Sequence, residues 1–162
     1  KDFSDLTETG IIGAKSVMSA IIITAFAYCV NTVTKGLGAA EFIMSFSESF
    51  MAPSLLLAST FFFTAVISFC TGTSWGAFAL MIPFVLPIAY GFSGGVTHDL
   101  IVYRALAAVV GGGIFGHHSS PVSDTSVLAS VGAGSDHMDH VITQFPYAVT
   151  VGVGTIALYL VI

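Results

Sequence analysis

The sequence predicts an all-α, polytopic membrane protein fragment that contains a re-entrant helical hairpin and a broken transmembrane helix. Three observations carry that prediction. First, 55% of the 162 residues are hydrophobic and 8% are charged, whereas soluble domains carry about 25% charged residues. Too little charge remains to cover a soluble surface, and the mean hydropathy of +0.94 agrees. Second, apolar runs recur near the length of about 20 residues that a helix needs to cross a hydrocarbon layer at 1.5 Å per residue. Third, two successive apolar elements are each interrupted by polar, helix-breaking residues, at 71–76 and 116–125. Irregular backbone at membrane depth is tolerated only when it is buried in protein or lines a cavity. Paired interruptions point to a transport site.

Composition excludes several function classes. Four Lys and Arg stand against nine Asp and Glu, with no basic patch for nucleic acid. Cys29 and Cys70 both sit inside apolar runs, as packing residues rather than a disulfide framework or zinc ribbon. The apolar stretches follow an acidic start, so no signal peptide is visible. The chain also lacks an initiator Met and reads as a piece of a larger protein or a processed chain.

The elements follow in order. Residues 1–13 are polar and contain Gly, which predicts a loop. Residues 16–34 form the first transmembrane helix, bracketed by Lys15 and Lys35, whose long stems can reach the interfaces. Residues 38–50 place Phe42, Ile43, Phe46 and Phe50 at helical spacing opposite Glu41, Ser45, Ser47 and Glu48, as in an amphipathic helix at the membrane surface or against the bundle. Residues 53–90 form the re-entrant hairpin, with Pro53 suited to a first helical turn. Its arms are about 15 residues each, short for a full crossing. Residues 91–98 are a Gly-rich loop. Residues 99–132 form the broken helix, whose first arm ends in Gly111-Gly112-Gly113, permitting close helix packing. Residues 133–141 form an acidic, His-containing loop, and residues 142–162 a final transmembrane helix.

The break at 116–125 holds an acid, two imidazoles and four hydroxyls between apolar arms. Ionisable groups at membrane depth cost about 2.5–3.5 kcal/mol each on insertion scales and mark ion or substrate paths. Asp124 is the leading candidate: a carboxylate that binds Na+ and, when protonated, releases it, so that H+ and Na+ compete for one acid. Its structural alternative is an N-cap of the second half-helix. Ser119, Ser120, Ser123 and Thr125 offer hydroxyl oxygens to a hard cation or local capping. His118 is a candidate proton shuttle or a neutral hydrogen-bonding partner, with His117 beside it. Thr71, Thr73 and Ser74 at the hairpin tip are further ion-site candidates, and Trp75 a packing or interface anchor. Asp136, His137, Asp139 and His140 suggest proton entry or relay, a cation funnel, or a cap on the last span. Transition-metal ligation by His137 and His140, three apart, is the alternative. Arg104 is placed to snorkel to an interface or to pair with an acid outside this chain.

A run of motifs resembles a known family. Residues 118–125 (HSSPVSDT), 132–141 (GAGSDHMDHV) and 143–148 (TQFPYA) look like the NhaC-type Na+/H+ antiporters, as do 71–76 (TGTSWG) and 34–42 (TKGLGAAEF). The resemblance covers nearly the whole chain. It implies membership of the wider ion transporter superfamily and an inverted-repeat architecture. Residues 1–162 would then be the C-terminal repeat, one half of an inverted-repeat transporter. The implied function is exchange of Na+ for H+ across a membrane by alternating access, with Na+ and H+ as transported ions, no cofactor and no enzymatic activity. The alternative is Na+- or H+-coupled exchange of small organic acids or amino acids. A non-transporting assembly or regulatory subunit is a further rival. Expected partners are membrane lipid and the missing N-terminal repeat, with a homodimer as an open alternative. The expected location is a cell membrane, multi-pass, as in the bacterial inner membrane. One position departs from the family pattern, which commonly has an acid where this chain has His117.

Overall fold

The computed structural model describes residues 3–37 and 52–162. Among them six helices occur: α1 (Phe3–Gly36), α2 (Pro53–Thr71), α3 (Ser74–Phe92), α4 (Leu100–Ser119), α5 (Asp124–Ala133) and α6 (His137–Val161). The predicted all-α architecture is the one observed. Four helices (α2, α3, α4 and α6) are long and apolar enough to cross a membrane, so the chain is a polytopic membrane helical protein.

The ends of these helices follow from local chemistry. Pro53 starts α2 in its first turn, where a missing N–H costs nothing. Gly72 ends α2 in the left-handed conformation, φ 69°, and its N–H donates to the Ser68 carbonyl. Thr73, extended at φ −140°, then opens α3. Asp99 caps α4 by accepting from the Ile101 N–H. Ser120 ends α4 in an extended conformation, which the following Pro121 imposes by clashing with a helical neighbour. Gly134, φ 65°, ends α5, and Asp136 caps α6 by accepting from the N–H groups of Met138 and Asp139.

Several boundaries differ from the sequence expectation. Residues 3–13 are helical rather than a loop. Asp5 sits in the first turn of α1, where negative charge complements the helix dipole, and Thr9 donates to the Asp5 carbonyl. The expected span 16–34 lies inside this longer helix. The amphipathic helix expected at 38–50 falls outside the described residues. The hairpin arms are 19 residues each rather than about 15, because Thr71 and residues 74–76 of the polar break are themselves helical, leaving 72–73 as the turn. The break is shorter than the expected decapeptide: 116–119 complete α4, and only 120–123 are non-helical. Helix α6 begins at His137 rather than 142, since the Asp136 cap satisfies its first amides.

Helix α4 lies at the centre and packs most extensively on α2, then on α3. The α2–α4 seam is set by glycines four residues apart. A Cβ on Gly112 would collide with the Phe61 carbonyl, and one on Gly116 with the Ala65 carbonyl. Across the seam Ser68 Oγ donates to the Gly113 carbonyl at 2.6 Å. Such small-residue seams hold membrane helices by close packing and interhelical hydrogen bonds, because lipid gives no hydrophobic drive between helices. Leu56, Leu57, Val85, Ala89, Ala105 and Val109 form the apolar centre toward the opposite end. Helix α5 is inverted relative to a soluble helix: Ser126 and Ser130 are buried while Leu128 and Val131 are 70% and 72% exposed. A polar interior and an apolar exterior suit a lipid setting.

The seam generates a prediction. Gly116→Val and Gly112→Val should each destabilise the folded protein by about 1–3 kcal/mol or more through overpacking. Gly111→Ala, whose Cβ would stand 3.5 Å from the Phe61 ring in ordinary contact, should be tolerated. Thermal unfolding midpoints of the full-length protein in detergent check this; equal midpoints for Gly116→Val and Gly111→Ala would contradict it.

Candidate functional site

The two sequence breaks meet in space. Gly72, at the hairpin tip, lies against Val122 in the break: a Cβ on Gly72 would stand 2.8 Å from the Val122 carbonyl oxygen. Ser120 Oγ donates to the carbonyl of Phe69, in the last turn of α2, at 2.7 Å. The hairpin tip thus forms one wall of the break.

Within the break, most carbonyls already have donors. Ser126 Oγ donates to the His118 carbonyl at 3.1 Å, and the Gln144 amide donates to the same oxygen at 3.3 Å. Ser120 N–H donates to the His117 carbonyl, and Ser123 N–H to the Ser120 carbonyl. His137 Nε2 meets the Pro121 carbonyl at 2.7 Å. These carbonyls are therefore engaged within the protein rather than open to a cation.

The remaining polar groups form a cluster at the start of α5. Ser123 Oγ lies 2.7 Å from Thr125 Oγ1 and 3.3 Å from His117 Nε2. The same Nε2 stands 3.3 Å from Asp124 Oδ1. The His117 side chain is largely enclosed, at 18% exposure, and its Nδ1 is buried with no hydrogen-bond partner. Ser123 is buried. Ser123, not Asp124, is the N-cap residue of α5, and Asp124 occupies the first turn, where a carboxylate is favoured by the helix dipole.

The Asp124 side chain is 80% exposed. It was expected to be enclosed between half-helices; within this chain it instead faces outward. As the first residue of α5 it lies at the exposed edge of the break, its Oδ1 still 3.3 Å from His117 Nε2 of α4.

The other predicted residues fall into distinct places. Ser119 Oγ donates to the Phe115 carbonyl in its own helix at 2.7 Å. His118 is exposed. Thr71 donates to the Ile67 carbonyl at 2.8 Å and is exposed. Thr73 and Ser74 are partly buried at the start of α3. Asp136 caps α6, Asp139 is exposed, and His140 is partly buried in the first turn of α6. His137, expected as an entry or relay residue, reaches into the break. Among the described residues, no three of His, Cys, Asp and Glu stand close enough to hold a metal ion.

Sequence reasoning missed Ser126, Ser130 and Gln144. The signal for the serines was available: they lie four apart in a short apolar helix, on the face that turns inward. Gln144 was quoted only as part of a motif, and its reach to the His118 carbonyl depends on how α6 packs. Gly72 was noted as part of the polar break, but its approach to Val122 depends on the α2–α4 seam.

Comparisons with known proteins identify the family. The whole chain, residues 1–162, matches the family model described as the Na+/H+ antiporter family. An uncharacterized protein of Haemophilus influenzae is 38% identical over 94% of this chain and 28% of its own length. An uncharacterized Na(+)/H(+) antiporter of the same organism is 30% identical over 79% of this chain and 26% of its own length. The malate-2H(+)/Na(+)-lactate antiporter of Bacillus subtilis is 27% identical over 99% of this chain and 33% of its own length. The chain thus spans between a quarter and a third of the length of these relatives. No solved structure matches it. The family is one of transporters, not enzymes. With its membrane-length helices, its two apposed breaks and a match along its entire length, the chain belongs to the Na+/H+ antiporter family, as the resemblance to NhaC-type members implied.

Proposed function

We propose that the protein of which this chain is part exchanges Na+ for H+ by alternating access, with Asp124 as the carboxylate that the two ions share. The observation that supports this most is the cluster itself. One acid, two hydroxyls and one imidazole converge where α4 gives way to α5. That convergence sits against the tip of a neighbouring hairpin.

In this reading Asp124 supplies the charge and Ser123 and Thr125 supply neutral oxygens, the donor set a hard cation prefers. The engaged carbonyls around the break hold its shape rather than coordinate. Helices α2 and α3 act as the re-entrant hairpin, and α4 and α5 as the broken helix. The N-terminal repeat covers the outward side of Asp124 and completes the site. A proton arriving at the carboxylate displaces Na+, and the reverse exchange follows on the other side.

A second reading is favoured by the relatives. One is named a malate-2H(+)/Na(+)-lactate antiporter. Another, of Halobacterium salinarum, is named an arginine/ornithine antiporter; it is 29% identical over 90% of this chain and 29% of its own length. In that reading the same break binds a small organic acid or amino acid, with the coupling ion beside it.

The tests use full-length protein in proteoliposomes. Asp124→Asn should lower Na+-driven proton movement about tenfold to a hundredfold, the scale of a lost charged interaction. An unchanged rate and Na+ dependence would remove Asp124 from the site. Ser123→Ala and Thr125→Val should each raise the half-saturating Na+ concentration about threefold to tenfold, read from initial rates against Na+. Uptake of labelled lactate, malate or arginine that requires a Na+ or proton gradient, with no solute-free Na+/H+ exchange, would favour the second reading.

A further inference from the structure

His137 carries more of the break than its place in an acidic loop suggested. It sits at the first position of α6, held there by the Asp136 cap and by the left-handed Gly134 that ends α5. Its ring bridges two elements. Nε2 lies 2.7 Å from the Pro121 carbonyl, and Nδ1 lies 3.2 Å from Ser130 Oγ. A carbonyl can only accept, so Nε2 carries the hydrogen of that bond. Ser130 is 1% exposed, and its one hydroxyl hydrogen is shared between Nδ1 and the Val127 carbonyl, which lies 2.8 Å from Oγ. One side chain thus joins the unwound segment, the body of α5 and the first turn of α6.

The Pro121 carbonyl needs such a partner. Residues 120–123 are not helical; the Ser123 carbonyl accepts from the Val127 N–H of α5 and the Ser120 carbonyl from the Ser123 N–H, whereas the donor to the Pro121 carbonyl is the His137 ring. At membrane depth an unsatisfied carbonyl is costly, so a fixed donor selects one conformation of the segment over its alternatives. Pro121 and Ser123 are two residues apart. Whatever holds the Pro121 carbonyl also sets where the Ser123 hydroxyl and the start of α5 stand.

We propose that His137 is a positioning residue: through the Pro121 carbonyl and the Ser130 hydroxyl it pins the unwound segment to α5 and α6, and so fixes the placement of Ser123, Asp124 and Thr125. Its ring bonds run to the Pro121 carbonyl and the Ser130 hydroxyl, so it acts on these three through the backbone. The inference rests on the reading of that cluster as the cation site only for its transport consequence; the pinning itself is independent of it. Gln can substitute for the Pro121 bond, since its amide nitrogen reaches to about the distance of Nε2 and donates. Leu fills similar space and donates nothing.

The experiment compares His137→Leu, His137→Gln and Ser130→Ala with the parent in the full-length protein. Amide hydrogen exchange is measured over peptides covering 119–125. Na+-driven proton movement is measured in proteoliposomes across Na+ concentrations. His137→Leu should speed exchange over 119–125 about tenfold and raise half-saturating Na+ by about the same factor, with the maximal rate changed less than twofold. Ser130→Ala should shift both in the same direction by less, and His137→Gln should recover most of both. Unchanged exchange over 119–125 in His137→Leu overturns the proposal, as does a Gln variant no better than Leu. A parent protein that moves no protons with Na+ overturns the proposed function alone, and hydrogen exchange still decides the role of His137. A general loss of fold in His137→Leu appears as faster exchange throughout, and the Gln and Ser130 variants then decide.

Discussion

An interrupted helix in a membrane protein must find partners for its freed backbone groups inside the protein, because lipid supplies none. Here that constraint is met first by the seam between α2 and α4. Gly112 and Gly116 let the two backbones approach until side chains would collide. Only at that separation can Ser120 reach the Phe69 carbonyl, and Gly72 lie against Val122. The glycines therefore do more than tighten a helix pair. They bring the hairpin tip to the break, and the rest of the site is built on that contact.

The hydroxyls of the break then divide by partner. Ser119, Ser120, Ser126 and Ser130 all donate to backbone carbonyls. Each keeps lone pairs, but its hydrogen and its rotamer are engaged. Ser123 and Thr125 instead bond each other, and Ser123 also meets His117. A hydroxyl pair whose partners are hydroxyl and imidazole can reorient toward a cation at little cost to the backbone. A hydroxyl side chain thus holds the frame at four positions and remains adaptable at two, and the difference lies in what each hydroxyl faces.

The all-α class and the membrane-length spans were legible in the sequence because they rest on features that act locally. Apolar run length, Pro121 after Ser120, Gly72 and Gly134 at helix ends, and the Asp99 and Asp136 caps each operate within a few residues. The exact extents were less legible. Polar composition at 3–13 and 116–119 suggested loops, yet polar residues are acceptable in a helix when backbone bonds are kept and the surface is open or shared. Pro83 and Pro87 lie in a helix that continues through both. What could not be read was partnership across elements. His137 looked like a solvent-facing loop residue until the turn at Gly134 folded α6 back on the break. Gln144 looked like part of a motif, and only packing gave it the His118 carbonyl. The 80% exposure of Asp124 likewise depends on which elements cover that side of the break, and a local run of residues does not encode that.

Position 117 shows how one substitution changes the electrostatics of such a site. The family pattern commonly has an acid there, and in this chain the side chain at 117 stands 3.3 Å from the Asp124 carboxylate. Two carboxylates at that distance repel, and one of them tends to hold a proton. Imidazole removes that repulsion and, when protonated, replaces it with attraction. The change of one unit charge is worth about 1 kcal/mol at 4 Å in water and about 4 kcal/mol at the effective dielectric near a protein surface. A cation at Asp124 would meet less negative charge than in a two-acid site, and neutral oxygens would carry a larger share of its coordination. Enclosure makes the same point from the other side. His117 is 18% exposed and Asp124 80% exposed, so the imidazole belongs to the interior of this chain while the carboxylate belongs to its surface. The pair thus links a half-buried imidazole to an outward-facing acid, an arrangement a second acid at 117 would not reproduce.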